Sequence, residues 1–136
     1  MDIEDPTQLE AYLRHTGRLD DNLTLASTVL PGGVSNRTVH VRLGDGREWV
    51  LKQALAKLRV PTEWLSDPAR VHREALGLRW LSRLLPPGSV PEFVFEDFDA
   101  HVLAMTAVPR PHENWKSVLL RGSVSQSLVE IGRAHV

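Results

Sequence analysis

The chain has 136 residues, 42% of them hydrophobic and 24% charged, and a formal net charge of −1, which is the composition of a single globular domain. Interspersed acids and bases provide no electrostatic footprint for nucleic acid or an anionic membrane, so a small molecule or a protein is the expected partner. The absence of cysteine excludes a disulfide framework, a zinc knuckle and a thiol nucleophile, no apolar run approaches membrane-spanning length, and the acidic start Met1-Asp2-Ile3-Glu4-Asp5 is unlike an export signal; a cytoplasmic setting is expected.

In chain order, Asp5-Pro6 reads as a helix start, with Leu9, Tyr12 and Leu13 at helical spacing and Gly17 as the stop. Residues 23–30 and 38–43 are β-prone runs around Pro31-Gly32-Gly33, a hairpin with a glycine-rich tip. Gly44-Asp45-Gly46 is a second hairpin signal, because Asp-Gly favours the positive φ angles of tight strand connections. It leads into Trp49-Val50-Leu51-Lys52-Gln53-Ala54, a strand whose alternation puts Val50, Lys52 and Ala54 on one face. Residues 55–66 form a connection. Asp67 or Ser66 as N-cap, Pro68 in the first turn, and Val71, Ala75, Leu78, Leu81 and Leu85 at helical spacing predict a long helix that Pro86-Pro87-Gly88 ends. Residues 93–98 and 101–108 read as two more strands joined at Asp97-Phe98-Asp99-Ala100. Residues 114–121 read as a short helix closed by Gly122.

Two charged residues stand where charge is costly. Lys52 shares a face with Val50, and an ammonium on an apolar face needs a counterion or an open cleft. Glu74 lies one turn from both Val71 and Leu78, in or beside the apolar stripe of the long helix. The two can neutralise each other, an arrangement by which kinases hold a lysine against ATP phosphates. The competing reading pairs Glu74 with Arg70 and lets Lys52 snorkel to water. Gly32-Gly33-Val34-Ser35-Asn36 can lay backbone N–H groups over phosphate oxygens or simply turn the chain; no Gly-Lys-Ser/Thr follows, so it is not a Walker A loop. The tryptophans Trp64, Trp80 and Trp115 are expected to pack locally. Arg70, Arg73, Arg79 and Arg83 are expected to form a solvated helix face, and the histidines show no metal-ligand spacing.

In combination, Gly32 to Asn36, Val50 to Leu55 with Lys52, Arg70 to Glu74, and Leu103-Ala104-Met105-Thr106 resemble the amino-terminal lobe of the aminoglycoside phosphotransferase family, whose fold is protein-kinase-like. The run Lys52-Gln53-Ala54-Leu55 with Arg59-Val60, Trp64 and Glu74 is similar to 5-methylthioribose kinases. The resemblance covers roughly residues 23–122. It implies an α+β lobe with a five-stranded antiparallel sheet and one main helix, and divides the chain into a lead-in (1–22), the lobe (23–108), and a hinge with the start of a second lobe (109–130).

The resemblance also implies roles. Lys52 would bind the α- and β-phosphates of ATP, Glu74 would hold Lys52, and Gly32, Gly33, Val34, Ser35 and Asn36 would cover the triphosphate. Val50 would line the adenine pocket with Met105 at its back, and the Thr106 carbonyl and Val108 N–H would meet the adenine edge. The catalytic base and the aspartate that holds Mg2+ would belong to a carboxy-terminal lobe whose motifs these residues do not contain. The expectation is therefore an inactive fragment of an enzyme that phosphorylates a hydroxyl of a small molecule, with Mg2+ needed only in the full-length protein. A methylthioribose-like sugar, an aminoglycoside and an amino alcohol are all open as acceptors. The alternative is a non-catalytic nucleotide-binding or protein-interaction module that reuses the lobe. Residues 131–136 resemble a translated sequencing adapter and are expected to be a non-native tail, with a native helix end as the other reading.

Overall fold

The computed structural model describes residues 1–31, 33–113 and 115–122. The expectations for Gly32, Asn114, the Trp115 side chain and the 131–136 tail lie outside the described residues. The elements are α1 (Pro6–His15), β1 (Leu25–Val29), β2 (Asn36–Leu43), β3 (Glu48–Ala54), α2 (Arg70–Leu84), β4 (Phe93–Asp97), β5 (Val102–Thr106) and α3 (Trp115–Leu120). All strand pairs are antiparallel, in the order β1-β2-β3-β5-β4. The chain is thus an α+β protein built on a five-stranded antiparallel sheet with three helices among the described residues.

Local chemistry sets the element ends. The Asp5 carboxylate accepts from the Thr7 and Gln8 N–H groups (2.9 and 3.2 Å), and Pro6 occupies the first turn, where its missing N–H has no intrahelical partner to lose. Gly17 leaves α1 at φ +67°. At the β2–β3 turn, Gly46 sits at φ +89° and the Asp45 carboxylate accepts from the Arg47 N–H at 3.0 Å. Helix α2 begins at Arg70 instead of Pro68. Asp67 caps the Ala69 N–H at 2.9 Å, and the first bonds run three residues back, from Arg70 to Asp67 and from Val71 to Pro68. That tighter turn delays the α-helical register.

The sheet has two covered faces. On one, Val39, Val41, Leu43, Trp49, Leu51, Val102 and Ala104 pack against Ile3, Leu9, Leu13 and Leu19, from α1 and the segments flanking it. On the other, Ala54, Leu103 and Met105 pack under Val71, Ala75 and Leu78 of α2. Burying one such aliphatic side chain contributes about 1.5–3 kcal/mol, so both layers are needed to hold so short a chain. Gln53 is the buried polar residue of the first face; its Nε2 donates to the Met1 carbonyl at 3.1 Å and its Oε1 accepts from the Ile3 N–H at 3.4 Å. The same face is clamped at its β4 edge. Tyr12 and Arg18 both donate to Asp97 Oδ2, at 2.8 and 2.9 Å, and the Arg18 guanidinium lies over the Phe95 ring.

Two expectations about α2 and its surroundings are corrected. Arg70 is not on a solvated face: its guanidinium turns to acceptors on Leu55, Ser66 and Ser35, whereas Arg73, Arg79 and Arg83 are exposed as expected. Arg79 pairs with Glu96 at 2.7 Å and lies over Phe93, while His72 links Glu96 and His101 at 3.2 Å each. These bonds tie α2 to β4 and its turn. Trp64 and Trp80 do not pack into local pockets: they are 63% and 54% exposed, and Trp80 continues a surface row with Leu76 and Leu84. An aromatic at helical spacing reveals its face but not whether that face has a neighbour. No helix among the described residues is long and apolar enough to cross a membrane.

Candidate functional site

The register across β2, β3 and β5 puts Lys52 opposite Thr38 on one side and Leu103 on the other, with Val50 opposite His40 and Met105. All of these side chains therefore project from the α2 face of the sheet. Lys52 reaches Glu74 on α2, and its Nζ donates to Glu74 Oε1. Their side chains keep 29% and 40% of their surface exposed, so the pair is neither sealed in the core nor free in solvent. An ammonium has three donors. One on Glu74 leaves donors for an anion arriving from the open side.

Glu74 does not pair with Arg70. That arginine turns instead toward the β1–β2 hairpin, where its Nη2 donates to the Ser35 carbonyl and to Asn36 Oδ1 (3.4 Å). The Val34 carbonyl accepts from the Arg59 N–H at 2.8 Å, and the Ser35 carbonyl also accepts from the Leu55 N–H at 3.0 Å. Gly33 is required by a close approach: a Cβ built there would lie 2.6 Å from the Asn36 carbonyl oxygen. The Gly33–Asn36 loop is thus a pinned turn whose carbonyls are held by three donors. Asn36 is opposite Ala54, two positions along the strand from Lys52, and shares its face.

At the other end of that face a small cleft of about 120 Å³ is lined by Leu30, His40, Glu48, Val50, Ala107, Val108, Arg110 and His112. Sites for whole drug-sized molecules occupy about 300–1,000 Å³, so this cleft suits one ring system with the rest of the ligand lying outside it. Val50 and Val108 line this cleft. Met105 does not: it is buried opposite Val50, within the cluster under α2. Thr106 is also outside the cleft lining. Its Oγ1 accepts from the Glu92 N–H at 2.8 Å, and it faces a separate hollow of about 380 Å³ lined by residues 88–92 and 106–109. The Ala107 N–H is bonded to the Glu48 carbonyl at 2.9 Å. No backbone carbonyl among the described residues accepts from the Val108 N–H.

The cleft holds polar groups that sequence reasoning did not select. His40 Nε2 and Glu48 Oε2 are 2.8 Å apart, and Arg42 Nε donates to Glu48 Oε1 at 3.1 Å. The hydrogen bond from His40 holds the Glu48 carboxyl below the ordinary carboxylate range, against the opposing effect of desolvation and with help from Arg42. The signal for both residues lay in the register: Arg42 faces Glu48 and His40 faces Val50 once the Asp45-Gly46 turn is placed. Arg110 and His112 follow the last strand, where alternation carries no information.

Among the described residues no group of three histidines, cysteines or carboxylates is arranged to hold a metal ion. No family model matches the chain, and no curated protein is similar to it.

Proposed function

We propose that this chain is the ATP-binding lobe of a small-molecule phosphotransferase of the aminoglycoside phosphotransferase type, with a protein-kinase-like amino-terminal lobe. The Lys52–Glu74 pair carries the reading. An ion pair spanning strand and helix, left partly open beside a pinned glycine loop at one end and a ring-sized cleft at the other, fits a long ligand with an aromatic head and an anionic tail. The ring would enter between Val50 and Val108, and the Val108 N–H, which has no acceptor among the described residues, is a donor for its edge. Glu74 fixes the Lys52 ammonium, and Lys52 offsets charge on the α- and β-phosphates.

Binding is what these residues supply. Transfer to a hydroxyl needs a group that orients the acceptor and a divalent cation that offsets charge on the γ-phosphoryl, and the family resemblance assigns both to a second lobe. On this reading the residues described bind ATP without turning it over. Acceptor contacts would also come from the second lobe, so a sugar, an aminoglycoside and an amino alcohol fit this lobe equally. The test is an ATP titration followed by amide chemical shifts. The reading expects the largest changes at Val50, Lys52, Ala107, Val108 and residues 33–36. Changes confined to other surfaces would overturn it.

A further inference from the structure

Arg70 makes more directed contacts than any reading of its position in the sequence suggested. It stands at the first position of α2, one turn before Glu74. Its Nη1 donates to the Leu55 carbonyl (3.1 Å), Ser66 Oγ (2.9 Å) and the Asp67 carbonyl (3.0 Å). Its Nη2 donates to the Ser35 carbonyl and to Asn36 Oδ1. One planar fork therefore joins the end of β3, the start of α2 and the β1–β2 loop.

We infer that Arg70 is a positioning residue: it locks the Gly33–Asn36 loop to the helix that carries Glu74, so that loop and Lys52–Glu74 pair present one fixed site to a triphosphate. The inference rests on the nucleotide reading above. Both terminal nitrogens of Arg70 are occupied by protein acceptors, so it acts through the loop and not as a phosphate ligand. Its effect on the loop is electrostatic as well as geometric. A backbone carbonyl turned toward a phosphate is repulsive, and Arg70 joins Leu55 in holding the Ser35 carbonyl by donors. Because a guanidinium only donates, Asn36 must offer it the amide oxygen, which leaves the two Nδ2 hydrogens for an anion on the Lys52 face. Arg70 and Glu74 are one helical turn apart, so any shift of α2 that loosens the loop also moves the counterion of Lys52.

The experiment uses the whole chain with Arg70→Gln and Arg70→Lys, titrated with ATP and separately with adenosine. Arg70→Gln should weaken ATP binding about tenfold while changing adenosine affinity less than about twofold, with Arg70→Lys in between. A loss shared equally by both ligands, or no loss, overturns the inference. Where Arg70→Gln does not fold, Arg70→Lys alone carries the test and must weaken ATP selectively; equal affinities overturn the inference. A wild type that binds no ATP refutes the nucleotide reading instead, and the coupling itself is then judged without ligand. Arg70→Lys should speed hydrogen exchange of the Leu55 and Arg59 amides, whose acceptors lie in the loop, by about tenfold relative to α1 amides. Unchanged rates at both would show that Arg70 does not hold the loop.

Discussion

Lowering the pH should weaken the hold of α1 on the sheet through one carboxylate. Asp97 is largely buried, which by itself would raise its pKa, but hydrogen bonds from the Ala100 N–H, Arg18 and Tyr12, with the Arg18 charge, outweigh burial and hold it at about 2. Its unfolded value is 3.8. A depressed folded pKa stabilises the protein above the unfolded value, and that contribution is lost as the pH falls through the folded one. The gap corresponds to about 2 kcal/mol at neutral pH, most of it gone by about pH 2. Urea unfolding of the wild type and Asp97→Asn at about pH 7, 4 and 2.5 isolates this group from the other carboxylates that titrate in the same range. The stability difference between the two proteins should be at least about 2 kcal/mol at pH 7, because Arg18 also loses its counterion, and should shrink steadily below about pH 4. A difference that stays constant from pH 7 to 2.5 would refute the assignment of the clamp to an ionised Asp97.

Two glycines should respond in opposite directions to the same substitution. At Gly33 an added Cβ meets the Asn36 carbonyl oxygen at 2.6 Å, so Gly33→Ala must move backbone and should cost about 1–3 kcal/mol in urea unfolding, with weaker ATP binding. At Gly77, inside α2, a Cβ meets nothing within 4 Å, and Gly77→Ala should stabilise the chain by about 0.5–1 kcal/mol in the same assay.

The central hairpin and the Lys52–Glu74 pair were legible because each depends on a short-range rule. Period-two alternation assigned Lys52 to a face, Asp45-Gly46 set the register of β2 on β3, and helical spacing brought Glu74 to the edge of the stripe facing that sheet. Between the two readings of Glu74, the deciding fact was where Arg70 goes. Its partners at Ser35 and Asn36 are 35 and 34 residues away, one a backbone carbonyl and one a side-chain amide oxygen, and contacts at that separation have no sequence signature. Met105 shows the same limit at shorter range. The family resemblance assigned it to the back of the pocket that Val50 lines; it lies opposite Val50, and the packing of Val71, Ala75 and Leu78 buries it under the helix. The cleft's outer wall, Arg110 and His112, comes from a segment without periodicity, and the exposed Trp64 and Trp80 depend on neighbours that spacing cannot name.

The claim that this fold is arranged around a lysine waiting for phosphate is tested most directly by comparing ATP affinity of the wild type and Lys52→Ala by calorimetry, with adenosine as the control. Losing one charge-assisted contact predicts about 10- to 100-fold weaker ATP binding and unchanged adenosine binding. Equal ATP affinities for the two proteins would contradict the account.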